Sequence, residues 1–246
     1  CFNEDTALMD SHTGPLLLLV QANIAPEHEE AFNSWYYHHV PRLLEIPGWL
    51  WGRRYLNVKG STKYLALYGV ENMDAMARVM GSDPALKDPR AVEERAFFDA
   101  IPGKTDVVSN VYEQVSGTHL GHPLLTQDHY LSLVMADCND PAQEAEWNAW
   151  YDHSHVPNLT RVPGYLSGAR FRVKNDPRFG GKGMGPKYLA LYEWEGAHCL
   201  PTLTEPETMC AEAKAELAEW NAYGVKLAAN MAWNVYRPIA SHKRFA

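Results

Sequence analysis

The chain has 246 residues, 46% of them hydrophobic and 21% charged, with a formal net charge of −8. That length fits one large domain or two small ones, and that composition belongs to a globular chain rather than a disordered one. No basic run stands out, which argues against nucleic acid or an anionic membrane as a partner.

The first hydrophobic run, "PLLLLV" from Pro15 to Val20, is too short to span a bilayer and too short for a signal core. The chain begins at Cys1 rather than Met, so some processing or trimming is expected. Cys1, Cys138, Cys199 and Cys210 show no CxxC spacing. They read as free thiols of a reducing compartment, and a cytoplasmic location is expected.

In chain order the elements come twice. "LLLLVQANI" (Leu16 to Ile24) reads as a strand, matched later by "YLSLVMADC" (Tyr130 to Cys138). A helix follows each. Phe32, Trp35, Tyr36 and His39 fall at i, i+3, i+4 and i+7, and Trp147, Trp150 and Tyr151 repeat that face. In the second copy Asp140 is a fitting N-cap, with Pro141 at N1 and Gln143 closing a capping box. Pro47-Gly48 and Pro163-Gly164 end these segments as turns.

A hairpin comes next, "WLWGRRYLNV" with "KYLALYGV" and later "YLSGARFRV" with "KYLALYEW". A second helical region follows, "DPRAVEERAFFDAI" and "TMCAEAKAELAEWNAYGVKLA", and then a closing strand containing "NVY". Trp35 to Trp150 is 115 residues, Pro47 to Pro163 is 116, and Lys63 to Lys187 is 124. The second copy therefore gains one residue inside its histidine phrase, and eight more in a Gly-rich stretch from Asn175 to Pro186 that reads as a mobile surface loop.

The repeated order is β-α-β-β-α-β, the ferredoxin-like unit. One such unit exposes one face of its sheet, and a second copy can cover it. The expected fold is α+β, with two tandem ferredoxin-like halves, 14–115 and 129–238, joined by a linker at 116–128, their sheets packing as one intrachain α+β barrel. A fused pair of this kind suits a monomer or a homodimer of fused pairs.

The phrases "FNSWYYHHVPRLLEIPGW" and "WNAWYDHSHVPNLTRVPGY" resemble the dimeric α+β barrel superfamily, and within it the EthD-like group, whose usual phrase is W-Y-D-x-x-H-[LV]-P-x-L-x-x-x-P-G. The second copy matches at Trp150, Tyr151, Asp152, His155, Pro157, Leu159, Pro163 and Gly164. The first copy has Tyr37 in place of the acid and lacks one residue before its histidine. The resemblance implies a pocket between sheet and helices lined by histidines and tyrosines. The superfamily includes polyketide cyclases, lactone isomerases, cofactor-independent monooxygenases, aldoxime dehydratases and haem enzymes, and fold does not choose among them.

His39 and His155 read as general acid/base groups, because an imidazole both takes and gives a proton near neutral pH. The alternative is a histidine at a helix end bonding a backbone carbonyl. Asp152, three residues before His155, is placed to orient that imidazole on a shared helix face, or else is a solvated acid. Tyr36 and Tyr151 offer hydroxyls to a substrate oxygen, or serve as core aromatics. Arg54 and Arg170, at matching places in the hairpin, suit anchoring a carboxylate or enolate if they point inward. Trp35, Trp150, Tyr68 and Tyr192 are expected in the pocket wall.

His38 and His153 each diverge from their neighbouring histidine and suit metal poorly. His119, His122 and His129 cluster in the linker, with no acid or cysteine ligands arranged around them. No phosphate loop, HExxH or G-x-S-x-G motif is present, and neither metal nor cofactor is expected. The expected function is a cofactor-independent lyase, isomerase or cyclase acting on a small, largely apolar aromatic or cyclic compound, chiefly through His155. The alternatives are a cofactor-independent monooxygenase of aromatic or polyketide-like compounds and a ligand-binding barrel without turnover.

Overall fold

The computed structural model describes residues 16–117, 129–179 and 185–243. The first half runs β1 (Leu16–Ile24), α1 (Glu29–Leu44), β2 (Trp49–Lys59), β3 (Tyr64–Val70), α2 (Met73–Met80), α3 (Pro89–Ala100) and β4 (Lys104–Gly117). The second runs β5 (Tyr130–Cys138), α4 (Glu144–Trp150), a π-helical turn (Tyr151–His155), α5 (Val156–Leu159), β6 (Tyr165–Val173), β7 (Tyr188–Trp194), α6 (Cys199–Thr204), α7 (Ala211–Glu219), a second π-helical turn (Trp220–Gly224), α8 (Val225–Leu227) and β8 (Ala228–Lys243).

The eight strands close into an antiparallel barrel in the order β1-β3-β2-β8-β5-β7-β6-β4. Each half supplies four neighbouring strands in ferredoxin-like order, so the two-half α+β barrel read from the repeat is the fold. Closure depends on the two long last strands. β4 pairs with β1 from Lys104 to Tyr112, and from Tyr112 to Gly117 with β6 of the other half. β8 pairs with β5 from Ala228 to Tyr236 and with β2 from Val235 to Lys243. Among the described residues no sheet edge is left open, which removes the usual site of strand addition. β4 reaches Gly117, two residues into the stretch read as linker, and residues 118–128 lie outside the described part.

Alternation along the strands sorts side chains between two environments. Leu17, Leu19, Leu65, Leu67, Leu189 and Leu191 fill the barrel interior with Tyr55, Tyr112, Phe171 and Tyr236. Tyr64, Ala66 and Tyr68 point outward under α1–α3, and Tyr188, Ala190 and Tyr192 do the same under the second half's helices. Gly48 and Gly164 adopt φ of +87° and +96°, the left-handed backbone that the two Pro-Gly turns require.

Three local expectations change. The second-copy helix starts at Glu144 with Gln143 as its N-cap. Asp140 instead closes the preceding turn, accepting from the Ala142 amide at 2.9 Å and from Gln143 Nε2 at 2.7 Å. The helices α2 and α6 sit between each hairpin and the expected second helix, in stretches too short to announce themselves by periodicity. The start of the Gly-rich insert is not a free loop: Arg178 bonds Asp74 of α2 at 2.7 Å, and its carbonyl accepts from the Ser82 amide at 2.6 Å. Residues 180–184 of that insert lie outside the described part.

Among the described residues, no helix is long and apolar enough to cross a membrane, and Cys138, Cys199 and Cys210 are free thiols.

Candidate functional site

The extra residue of the second histidine phrase is absorbed as the π-helical turn Tyr151–His155, the usual way a helix takes in one residue without breaking. The insertion restores the equivalence of the two histidines. His39 stacks on Trp35, four residues earlier, with ring centroids 4.1 Å apart, and His155 stacks on Trp150, five residues earlier, at 4.9 Å. Each histidine is buried and faces a cavity between the outer sheet face and the helices of its own half.

The first cavity has a volume of about 390 Å³. Leu18 and Val20 of β1, Tyr68 of β3 and Val107 and Ser109 of β4 form its floor. Trp35, Tyr36, His39 and Leu43 come from α1, Val79 and Met80 from the end of α2, and Ala91, Glu94 and Phe98 from α3. Lys87 and Arg95 add charge to an otherwise apolar wall.

Inside it, His39 Nδ1 lies 2.8 Å from Glu94 Oε2, and both side chains are buried. A carboxylate only accepts, so Nδ1 carries the proton and Nε2 is left as a lone pair. Burial holds the His39 pKa below the ordinary imidazole value, against the pull of Glu94. The bond to His39 holds the Glu94 carboxyl below the usual carboxylate range, although burial opposes it. Arg42 Nε adds positive charge 3.5 Å from the other Glu94 oxygen. The resting pair is thus a neutral, oriented imidazole on an ionised carboxylate, the arrangement of a general base.

The Tyr68 hydroxyl is buried without a hydrogen-bond partner of normal geometry, although Tyr36 lies close enough to influence its titration. Burial pushes the pKa of both tyrosines up, so both remain protonated donors near His39.

The second cavity measures about 240 Å³, with an adjoining lobe of about 120 Å³. Tyr151, His155 and Tyr192 line it, as expected. The expected Asp152–His155 pair does not form. The π turn bonds i to i+5, so residues three apart no longer share a face as they do on an α-helix. Asp152 instead bonds Arg170 Nη1 at 2.7 Å and accepts from Ser116 Oγ at 2.7 Å. The acid beside His155 is Glu216 of α7, but its nearest oxygen stands 3.4 Å from Nδ1 and both atoms lack a hydrogen bond. Burial, and then the charge of Arg170, lower the His155 pKa to about 4. Burial, and then Glu219, raise the Glu216 pKa.

Arg54 and Arg170 line neither cavity. Both leave the outer face of a hairpin strand and are enclosed beneath the first helix of their half. The Arg54 guanidinium lies 4.0 Å from the Tyr36 ring centroid and bonds Asn33 Oδ1 at 2.9 Å. Arg170 lies 4.1 Å from the Tyr151 ring and bonds Asn148 Oδ1 at 2.8 Å. Both guanidiniums are held by cation–π contact with these rings, and Arg170 also by the Asp152 carboxylate. Trp150 also stays out of the cavity wall: its indole N–H donates to Glu219 at 2.6 Å and its ring backs His155. Trp35, Tyr36, Tyr68 and Tyr192 line cavities as expected.

Asp152→Asn is expected to lower unfolding free energy by roughly 1–3 kcal/mol, because it leaves the Arg170 charge buried without its carboxylate. It should not move the pH profile of turnover. Urea unfolding and a rate–pH series check the two halves of that statement.

Glu94 and Glu216 were missed as site residues, yet the signal was present. Ala91, Glu94 and Phe98 align with Ala213, Glu216 and Trp220 at a constant offset of 122. Of the linker histidines, His119 and His122 lie outside the described residues, and His129 Nδ1 sits 3.4 Å from Glu193. One group with metal-ligand geometry occurs among the described residues, Glu195, His198 and Cys199, away from both cavities.

No family model matches the chain, and no curated protein matches it. Solved structures do. One described as an anthrone oxidase-like protein has a TM-score of 0.67 at 13% identity, covering 96% of this chain and 95% of that one. A protein assigned as a monooxygenase from Fusobacterium nucleatum has a TM-score of 0.64 at 9% identity, covering 95% and 96%. Another so assigned, from Lactobacillus acidophilus, has a TM-score of 0.55 at 10% identity, covering 94% and 97%. At such identities the likeness is one of fold. The chain shares with these structures an α+β fold built on a closed eight-stranded antiparallel barrel, with both halves supplied by one polypeptide.

Proposed function

We propose that the first cavity is the active site of an enzyme that needs no cofactor for proton transfer. Its substrate is a flat, largely apolar cyclic or aromatic compound bearing a carbonyl or phenol. The carrying observation is the 2.8 Å bond from His39 Nδ1 to Glu94 at the wall of an apolar cavity, which leaves Nε2 as the base. His39 removes a proton from a C–H acidified by the ring carbonyl, and the Tyr68 and Tyr36 hydroxyls donate to the oxygen on which negative charge develops. Return of the proton at another carbon gives an isomerase or cyclase outcome, and loss of a leaving group gives a lyase.

The second reading is a monooxygenase, favoured by the anthrone oxidase-like and monooxygenase-assigned neighbours. Here the deprotonated substrate itself reduces oxygen: a ring CH₂ becomes C=O, with one oxygen atom retained and the other leaving as water. The EthD-like resemblance of the histidine phrase fits either reading.

One experiment separates them. Anthrone and a panel of cyclic ketones are incubated with the protein in D₂O, with C–H exchange followed by NMR and oxygen uptake by electrode. Protein-dependent exchange without uptake supports the isomerase or lyase reading, and uptake matching substrate loss supports the monooxygenase. Binding with neither exchange nor uptake across the panel would leave a ligand-binding barrel and sink both.

A further inference from the structure

The second cavity is equipped differently from the first. Rings of Tyr165, Trp194, Trp220 and Trp233 form much of its wall, and among the described residues no lysine or arginine lines either lobe. Its main volume of about 240 Å³ exceeds the roughly 150 Å³ that holds one benzene ring, and the adjoining lobe extends it past His155. Four buried polar atoms of the lining have no hydrogen-bond partner of normal geometry: Tyr192 Oη, Trp194 Nε1, His155 Nδ1 and Glu216 Oε2, although Tyr151 lies close to Tyr192 and Asn158 close to Glu216. Buried polar groups are rarely left unsatisfied, and four around one cavity mark a place where a ligand's polar edge completes them.

We infer that the second-half cavity binds, without turning it over, a neutral flat aromatic compound of about two rings that carries a hydroxyl or ring N–H. The rings stack in the aromatic wall, and the donor meets His155 Nδ1 and Glu216. The raised Glu216 pKa disfavours a charge there and suits a neutral ligand. Turnover is absent because His155 lacks the carboxylate bond that orients and activates His39: the 3.4 Å approach to Glu216 forms no hydrogen bond. The inference does not depend on chemistry in the first cavity.

The test is equilibrium dialysis with 2-naphthol and with naphthalene. Val79→Trp, which fills the first cavity, isolates the second, and Leu203→Trp is added to fill that one. Binding of 2-naphthol should persist in the Val79→Trp protein and fall at least about tenfold when Leu203→Trp is added. Naphthalene, lacking the donor, should bind about tenfold more weakly or worse. Should circular dichroism show Leu203→Trp unfolded, Thr204→Trp at the same wall gives the same reading. Loss of binding in a folded Val79→Trp protein, indifference to both filling variants, or equal affinity for naphthalene overturns the proposal. Proton exchange of a ketone by the Val79→Trp protein overturns the absence of turnover. A wild-type protein that exchanges no protons at all sinks the first-cavity reading and leaves this one standing.

Discussion

His39→Ala is expected to lower turnover by roughly 10²–10⁴-fold, the usual cost of removing a positioned base. Binding should change much less, because Trp35, Phe98 and the β1 and β4 side chains still supply the apolar wall. Glu94→Gln is the sharper test. It keeps the shape but removes the charge that orients Nδ1–H, so a loss of about 10–10²-fold is expected. The pH dependence follows from the same contacts. His39 acts when neutral, so rate falls as pH drops through its pKa, which burial places below the ordinary value of 6.5. Glu94 pulls that pKa upward, so Glu94→Gln should move the acid limb to still lower pH while the plateau falls. A His39→Ala protein retaining a third or more of the rate, or a Glu94→Gln protein whose limb moves to higher pH, would show that the pair is structural.

His155 governs a second large effect, on stability. The folded protein accepts a proton on His155 only near pH 4, whereas an unfolded chain accepts it near 6.5. Between those values the unfolded state binds more protons, so stability rises with pH there. As pH falls from 6.5 to 4, the wild type should lose about 3 kcal/mol through this one residue, with little further loss from it below. His155→Gln cannot take the proton and should lack that component. Urea unfolding of both proteins at half-unit pH steps reads it directly, and parallel stability–pH curves would mean that His155 is not held neutral by burial. The wild-type histidine is therefore a liability in acid, because no hydrogen bond to Glu216 holds its protonated form.

Much of the architecture was legible in the residues. Recurrence of "KYLALY", "NVY" and the histidine phrase at nearly constant offsets implied two equal units, and the sheet face that one such unit leaves exposed implied that the second covers it. β1, β5 and β6 have the limits their patterns suggest. The single inserted residue was visible too, but not its consequence. Spacing on an α-helix put Asp152 beside His155, and the π turn put it on Arg170 instead.

By itself, then, the sequence determined the repeat, the ferredoxin-like halves and the aromatic-histidine helix face. These rest on periodicity and turn chemistry, which act between near neighbours in the chain. Tertiary structure alone decided the rest: that β4 and β8 cross to the opposite half and close the barrel, that Arg54 and Arg170 are enclosed under rings and line neither cavity, and that the two cavities differ. His39 and Glu94 are 55 residues apart, and their bond exists because α3 packs against α1 at one particular height. The corresponding pair in the second half misses that bond at 3.4 Å, a difference no local pattern records.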